Sequence, residues 1–405
     1  MSLLNEALLV GASQGLLLCI VILSLPSANV VANRLLVLYV GLESLHLFFL
    51  YLSYLDATSA PPPLLRFLCS IRVLDGPAVY LYVRSLTTAN FRLELGQLRH
   101  LWVFGVLLAW FIPLSSDPVW AGLSTRELQE LPSTVAISAY QSLALVGYAL
   151  VAWRLLNSHQ RRLQQALSEV DSVNLAWLQW LMVALIAVNV LHLSLDTLRL
   201  FDVIGADSKV VINLTMTLLL IYLISIGGLR QPQVFTQPVR EALAAIGGDG
   251  AGLDVSGLER HGGDSSDAQA AAGAETEAER GKYQKSGLDE LRRREIWAEL
   301  QTLMARDKPF LDATLDLPKL ARQLMVRPQE LSEVINTLYG GSFYDLVNRS
   351  RVEAAKALLQ EPAERRRKML DIALSVGFSS QSTFYNQFKK QTGMTPTSYR
   401  EEGKA

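Results

Sequence analysis

The amino-acid sequence predicts an all-α protein with a seven-helix transmembrane bundle, a disordered linker and a C-terminal domain of two helix-turn-helix units. Half of the 405 residues are hydrophobic and only 19% are charged, whereas ordinary soluble domains carry about 25% charged residues. The net charge of -1 conceals three different regions. Residues 1–235 hold 13 Lys+Arg and 13 Asp+Glu, residues 236–281 hold 3 and 9, and residues 282–405 hold 21 and 16. A single soluble globule is therefore excluded.

The first region contains apolar stretches that can cross a membrane, since about 20 apolar residues in a helix span the hydrocarbon core. We count seven of them: about Leu4–Leu25, Leu35–Leu55, Phe67–Leu86, Leu101–Ser115, Leu131–Leu156, Leu175–Phe201 and Val210–Leu229. The fourth stretch is short and is interrupted by Pro113. The first stretch has no basic residue before it, which argues against a cleaved signal peptide.

The basic residues between the apolar stretches predict the orientation in the membrane. One set of alternate loops contains seven of them: Arg34, Arg84, Arg92, Arg99, Arg154, Arg161 and Arg162. The opposite set contains three: Arg66, Arg126 and Lys209. Because basic loops stay in the cytoplasm, the first set is expected inside. The N-terminus is then outside and the C-terminal domain is cytoplasmic, at the inner (cytoplasmic) membrane.

Several ionisable residues within the apolar stretches lie at helical spacing. The candidates are Glu43, His46, Arg72, Asp75, His192 and Asp196, with Arg199 near the end of the sixth stretch. Charged groups are costly in lipid, so these residues should face the interior of the bundle and pair. One interpretation is a polar pocket that senses a ligand or pH, and the other is mutual neutralisation that serves stability.

Residues 236–281 are predicted to form a flexible acidic linker rich in Ala and Gly. Small residues and acidic charge cannot bury enough apolar surface to offset the entropy of ordering, so disorder is expected. A flexible chain of this length spans about 40 Å. The domain that follows should therefore stay close to the membrane.

The C-terminal region, residues 282–405, has helical periodicity and an internal repeat. Ala321 is followed by Leu331, Ile335 and Gly340, and Ala373 is followed at nearly the same intervals by Phe384, Phe388 and Gly393. In each copy a short helix meets a tight break before a second helix, which is the spacing of a helix-turn-helix. We place the two units at about 317–340 and 369–393. An apolar helical stretch at Phe343–Gln360 connects them, and it is about 27 Å long at 1.5 Å per residue.

These residues carry a resemblance to a known family. The residues in question are Ile372-Ala373, Gly377-Phe378-Ser379-Ser380-Gln381-Ser382-Thr383-Phe384, Phe388-Lys389-Lys390, Thr392-Gly393-Met394-Thr395-Pro396 and Tyr399-Arg400. The stretch resembles the signature of AraC-type transcription regulators, over about 100 residues. Gly76-Pro77 with Tyr80-Leu81-Tyr82-Val83-Arg84, and Gly227-Gly228-Leu229-Arg230-Gln231-Pro232, are similar to the membrane-bound subgroup of that family.

The resemblance implies binding to double-stranded DNA, with roles for particular residues. In the second unit Gln381, Ser382, Tyr385 and Asn386 would read bases, since Gln and Asn can bind adenine edges in the major groove. Lys389 and Lys390 would contact phosphates, which positions the domain without specifying sequence.

The first unit departs from this pattern. Its matching residues are Gln329, Ser332 and Glu333, with Arg327 and Glu330 beside them. We expect Arg327, Gln329 and Ser332 as base-reading candidates, while two carboxylates on the same face would repel phosphate. Met325 stands at the position of Gly377, so the turn lacks the residue that adopts positive φ at little cost. Whether this unit reads bases or mainly positions the domain is left open.

Other basic residues allow more than one interpretation. The run Arg365-Arg366-Arg367-Lys368 could contact DNA phosphates or the anionic inner leaflet, or be a solvated charge run. Arg349 and Arg351 on the connecting helix are expected to contact phosphates or to form ion pairs within the domain.

No pattern in the sequence indicates an enzyme, a cofactor or a metal site. The sequence lacks a phosphate-binding Gly-rich loop, a nucleophile elbow and metal-spaced His or Cys. We therefore expect a membrane-anchored transcription regulator whose partners are DNA, membrane lipid, a second copy of the chain and an unknown small-molecule or physical signal. The alternative is a membrane receptor or transporter-like protein whose tail is a protein-interaction module.

Overall fold

The computed structural model describes residues 2–24, 29–55, 69–88, 91–106, 132–170, 175–201, 203–229, 239, 242–243, 245, 288–364 and 366–402. Within these ranges the chain is helical apart from its connections, and the β-type contact there is an isolated bridge between Leu167 and Asp316. The predicted all-α class is confirmed for this part of the chain. Two compact units are present: Met1–Ser158 with Leu175–Gln233, and His159–Asn174 with Val234–Ala405.

The helices of the first unit are long and apolar. They are α1 (Ser2–Ser24), α2 (Val30–Leu55), α3 (Asp75–Thr87), α4 (Pro132–Ala166), α5 (Ala176–Leu200) and α6 (Ala206–Leu229), with 3-10 turns at Cys69–Leu74 and Leu95–Leu101. Helix α4 begins in the first unit, and its residues from His159 onward belong to the second.

Four segments of the described chain are long and apolar enough to cross a membrane: Asn5–Ser24, Val30–Leu52, Val135–Ala166 and Ala176–Arg199. They correspond to the first, second, fifth and sixth predicted stretches. The seventh corresponds to α6, whose apolar part Val211–Ile224 is shorter. The third is divided between a 3-10 turn and the 13 residues of α3. The fourth lies largely outside the described residues.

The second unit contains short helices around one longer helix. They are α7 (Glu290–Arg306), α8 (Leu317–Gln323), α9 (Pro328–Val334, continued by a π-helical turn Ile335–Tyr339), α10 (Phe343–Gln360), α11 (Met369–Ser375), α12 (Gln381–Thr392) and α13 (Pro396–Glu402). Helices of seven residues are not stable in isolation. Their stability therefore comes from caps and from packing.

Side-chain caps define where three of these helices begin. The Asp316 carboxylate accepts a hydrogen bond from the Lys319 N–H at 2.8 Å, and the Ser380 hydroxyl accepts one from the Thr383 N–H at 3.2 Å. Ser342 and Asp345 form a capping box at the start of α10. Such caps satisfy backbone N–H groups that have no partner within the helix, and each stabilises by about 1 kcal/mol.

Helix α10 contributes to the two larger hydrophobic cores of the second unit. Its first half packs with α7, α8 and α9, and its second half with α11, α12 and α13. The first core includes Ile296, Leu300, Leu320, Ala321, Leu331, Ile335, Phe343 and Val347, and the second includes Val352, Ala355, Leu359, Ile372, Ala373, Phe378, Phe384 and Phe388. The predicted connecting helix between two helix-turn-helix units is confirmed, with the predicted bounds.

The predicted linker, residues 236–281, lies outside the described residues except at four positions. Val239, Ala242, Leu243 and Ala245 are helical. The first three are buried against the end of α4 and Tyr344. At these positions the structure differs from the expected disordered chain, because the apolar side chains pack against the buried residues of α4 and Tyr344.

Candidate nucleic-acid interface

The turns of the two helix-turn-helix units share one backbone hydrogen bond. The Val326 N–H donates to the carbonyl of Ala321 at 3.1 Å, and the Phe378 N–H donates to that of Ala373 at 3.0 Å. Both alanines are completely buried, because a small side chain lets the two helices of each unit cross closely. The repeat in the sequence therefore corresponds to a repeat in structure.

The residue that turns the chain differs between the units. Gly377 has φ 94° and Met325 has φ 54°, so both adopt the left-handed conformation. A Cβ on Gly377 would lie 2.3 Å from the carbonyl oxygen of Phe310, so only glycine fits there. The Met325 side chain is 93% exposed, so the first unit has room for a side chain but carries the strain of positive φ.

Helix α12 presents a polar face to solvent. Its apolar side chains, Phe384 and Phe388, point into the second core. The predicted base-reading residues Gln381, Ser382 and Asn386 and the predicted phosphate contacts Lys389 and Lys390 are exposed. One helix thus exposes amide groups, a type that can bind adenine edges, and ammonium groups, a type that can bind phosphates.

The remaining predicted base reader of this unit, Tyr385, is half-buried. Its ring packs on the second core, and its hydroxyl lies 2.8 Å from the Thr397 hydroxyl. Lys390 lies 3.5 Å from an Asp345 carboxylate oxygen. Tyr385 therefore contacts α13 through its hydroxyl, whereas Gln381 and Asn386 are exposed to solvent.

Glu333 does not lie on the exposed face of the first unit, contrary to the expectation. Its side chain is 3% exposed, and Oε1 accepts a hydrogen bond from Arg293 Nε of α7 at 2.9 Å. The structural reason is that α7 covers this side of α9, whereas the equivalent position of α12, Asn386, is exposed to solvent. The two carboxylates expected to repel phosphate are thus reduced to one on this face.

That second carboxylate, Glu330, is paired with Arg327. Arg327 Nη2 lies 2.6 Å from Glu330 Oε1, and the Arg327 N–H donates to Oε2 at 3.1 Å. The Arg327 side-chain hydrogen bond holds the pKa of Glu330 below its usual value. Arg327 and Gln329 are exposed and Ser332 is half-buried, so the predicted readers of this unit offer a smaller polar surface.

The two arginines of α10 have different environments. Arg349 is exposed, whereas Arg351 is completely buried. Arg351 Nε donates to the Phe310 carbonyl at 2.8 Å and Nη2 to the Asp312 carbonyl at 2.9 Å, with the guanidinium 5.7 Å from the Phe378 ring centroid. Burial lowers the pKa of Arg351 to about 10 against the opposing charges of Glu169 and Asp312. Of the two, only Arg349 can reach a phosphate.

The basic run before α11 is partly used within the domain. Arg365 lies outside the described residues, and Arg366 and Lys368 are exposed. Arg367 lies 3.0 Å from a Glu364 carboxylate oxygen and accepts a hydrogen bond from Arg400 through its carbonyl. Two exposed cations of the run therefore border the second unit.

The polar residues predicted inside the apolar bundle form pairs in the first unit. Arg72 lies 3.3 Å from a Glu43 oxygen and 3.5 Å from an Asp75 oxygen, and both carboxylates are buried. His46 is half-buried and keeps a buried ring nitrogen, Nδ1, that makes no hydrogen bond.

A second group joins α4, α5 and α6. His192 Nε2 lies 3.7 Å from Asp196 Oδ2, which also accepts a hydrogen bond from Ser138 at 2.8 Å, and Asp196 pairs with Lys209. The sequence pattern did not reveal Ser138 or Lys209 as members, because they come from other helices. Among the described residues, no His, Cys, Asp and Glu group could hold a metal ion.

Sequence reasoning also missed Arg293, Ser168 and Glu169, which contact the helix-turn-helix units. Arg293 carried a weak signal, since it stands three residues after Glu290 on α7 and pairs with it at 3.2 Å. Ser168 and Glu169 carried none, because their partners are more than 140 residues away.

Comparison with known proteins agrees with this geometry. The model of a family described as a helix-turn-helix domain matches residues 320–402. A probable transcription factor of Proteus vulgaris, PqrA, is 40% identical over 74 residues, which are 18% of this chain and 57% of that protein. An uncharacterized HTH-type transcriptional regulator of Bacillus subtilis (strain 168), YtdP, is 33% identical over 91 residues, which are 22% of this chain and 11% of that protein.

The chain thus spans about half the length of one of these relatives and about a tenth of the other. No solved structure matches it. The family match at residues 320–402 covers the two turns, α10 and α12, and it confirms the C-terminal helix-turn-helix domain predicted from the resemblance to AraC-type regulators.

Proposed function

We propose that this protein is a membrane-anchored transcription regulator that binds specific DNA sequences through its C-terminal domain. The observation that carries the proposal is the exposed polar face of α12, placed by a helix-turn-helix whose sequence is similar to transcription regulators. Such a helix enters the major groove with its N-terminal residues against base edges.

Within this proposal the second unit supplies most of the sequence readout. Gln381 and Asn386 bind adenine edges, and Ser382 supplements them. Lys389, Lys390 and Arg349 bind phosphates. The first unit, through Arg327, Gln329 and Ser332, positions the domain on a neighbouring groove.

The apolar helices anchor the chain in the inner membrane and receive the signal. Four described segments support anchoring by length and composition, and the proposed topology has seven spans with the N-terminus outside. The buried pairs around Arg72 and Asp196 give the bundle polar contacts that a ligand, a proton or a second copy of the chain can rearrange.

The test uses the full-length protein in lipid nanodiscs, incubated with sheared genomic DNA and sequenced after capture at moderate salt. We expect a few enriched sequences, with an affinity that falls steeply as salt rises because bound phosphates release counterions. Uniform recovery of all sequences, or none, contradicts sequence-specific binding.

Two substitutions on α12 separate the proposed roles. Asn386→Ala removes a base contact and should weaken binding to the enriched sites by about tenfold while leaving other sequences unchanged. Lys389→Ala removes a phosphate contact and should weaken binding to all sequences similarly. Equal effects of both changes on every probe contradict the assigned roles.

The same experiment distinguishes the alternative class, a receptor or transporter-like protein whose tail binds other proteins. Such a tail is not expected to bind particular DNA sequences more tightly than others. Its exposed α12 face would tolerate Asn386→Ala and Lys389→Ala without any change in DNA recovery.

A further inference from the structure

The end of α4 and the residues after it pack against the helix-turn-helix units within the second compact unit. Leu163, Ala166, Leu167 and Val170 are buried together with Tyr344 of α10. Leu167 also forms a bridge with Asp316, the residue that caps α8. Residues 163–170 are called the strap below.

Ser168 ties the strap to the helix that joins the two units. Its hydroxyl donates to the Leu315 carbonyl, and its own carbonyl accepts from Asn348 Nδ2 and Arg351 Nη1, each at 3.4 Å. Arg351 Nη2 donates to the Ser168 hydroxyl oxygen at 3.2 Å. The strap thus accepts hydrogen bonds from a buried guanidinium, in addition to covering apolar surface.

Glu169 reaches the turn of the second unit. The Ser379 hydroxyl donates to Glu169 Oε2 at 2.6 Å, and Ser379 stands two residues before Gln381, the first residue of α12. Helix N-termini attract anions, and hydroxyls near them commonly donate to DNA phosphates. The Glu169 carboxylate therefore occupies the hydroxyl donor of Ser379. This donor lies next to the N-terminus of α12, the end of the helix that would enter a major groove.

We propose that the strap and DNA compete for this surface, so that the docked strap holds the DNA-binding domain in a state of low affinity. The inference rests on the proposed DNA-binding function. Glu169 takes the Ser379 hydroxyl and places a negative charge where a backbone phosphate would lie. Because α4 is one helix from Pro132 to Ala166, a membrane signal that displaced its apolar part would reach the strap through this helix.

A disulfide that locks the strap tests the competition. Leu167 and Asp316 are an antiparallel bridge pair, and such pairs have Cα atoms about 4.5–5.5 Å apart, within the range that a disulfide spans. The variant Leu167→Cys with Asp316→Cys is made in a background with Cys19→Ser and Cys69→Ser. The full-length protein in lipid nanodiscs is titrated with fluorescent randomised DNA duplexes, first oxidised and then reduced.

We expect the oxidised protein to bind these duplexes about tenfold more weakly than the reduced protein, the effect of roughly one unit charge close to a phosphate. Each sample is its own control, since oxidation and reduction leave the sequence unchanged. Equal affinity in the two states, or tighter binding when oxidised, overturns the inference alone. If neither state binds DNA, the proposed function fails and the inference fails with it.

A second variant separates the charge from the covalent lock. Glu169→Gln keeps the size of the side chain and removes its charge, so binding to all duplexes should tighten by about tenfold. Glu353→Gln is the matched control, because this exposed residue of α10 pairs with Lys356. If the two substitutions change the affinity equally, Glu169 has no special position and the competition is overturned.

Discussion

The two helix-turn-helix units have the same turn geometry but use their second helices differently. Counted back from the aligned apolar residues, Glu333 of α9 corresponds to Asn386 of α12. Glu333 is buried against Arg293 of α7, whereas Asn386 is exposed. An additional helix thus converts a solvent-facing position in one unit into an internal ion pair in the other.

The difference indicates that the two units use their polar side chains for different purposes. The first unit uses polar side chains for its own stability, through Arg293–Glu333 and Arg327–Glu330. The second unit is stabilised by an aromatic core, in which Phe384 contacts Phe378 in a tilted arrangement and Phe388 edge-to-face, at ring-centroid distances of 5.4 and 5.6 Å. Polar side chains of α12 therefore remain exposed, among them Gln381, Ser382, Asn386, Lys389 and Lys390.

The largest contrast is expected at the turns. Gly377→Ala combines positive φ with a Cβ that would lie 2.3 Å from the Phe310 carbonyl oxygen, so it should destabilise the domain by about 3 kcal/mol. The matched change Met325→Ala keeps a non-glycine residue at positive φ and should have an effect within about 0.5 kcal/mol. Hydrogen exchange of α12 peptides in the full-length protein measures both. Equal protection in the two variants would show that the approach of Gly377 to the Phe310 carbonyl is not tight.

The buried ion pair is expected to have the next largest effect. Arg293→Gln leaves the Glu333 carboxylate buried without its guanidinium, which should cost about 2 kcal/mol. Adding Glu333→Gln should recover part of that loss, with a coupling energy of about 1 kcal/mol or more in a double-mutant cycle. Exchange protection of α9 peptides is measured in the unchanged protein, the two single variants and the double variant, and it gives the four stabilities that the cycle needs. Additive effects would mean that α7 supports the first unit by apolar packing alone.

Sequence readout should differ between the units by a smaller free energy. Gln381→Ala should lower the preference for the enriched sites by about tenfold, because an amide that binds a base edge is lost. The same chemical change in the first unit, Gln329→Ala, should change that preference by less than about threefold. Competition binding with enriched and randomised duplexes checks both. A larger effect for Gln329→Ala would reverse the assignment of reading and positioning.

The smallest effect is expected for Met325→Gly. Glycine relieves the strain of positive φ in the folded protein, but its greater freedom stabilises the unfolded chain. We expect the first effect to be the larger, so that the free energy of unfolding rises by about 0.5 kcal/mol. Hydrogen exchange of α8 and α9 peptides is sufficient to detect it. A loss of protection would indicate that the exposed methionine makes contacts that offset its strain.

Local sequence patterns were sufficient for much of the architecture. The connecting helix was predicted at Phe343–Gln360 and has those bounds, because its apolar spacing and the Ser342 cap are both properties of neighbouring residues. The repeat that ends at Gly340 and Gly393 predicted two equivalent helix ends, and both glycines have positive φ, 74° and 80°. The length of the apolar stretches likewise predicted α1, α2, α4 and α5.

Tertiary structure decided which polar residues are available to a ligand. Glu333 and Asn386 occupy equivalent positions in the repeat, and only the packing of α7 against α9 separates a buried carboxylate from an exposed amide. Ser168 and Arg351 are 183 residues apart, so no local period connects them. Hydrophobic periodicity reports which face of a helix is covered, whereas the identity of the covering segment depends on long-range packing.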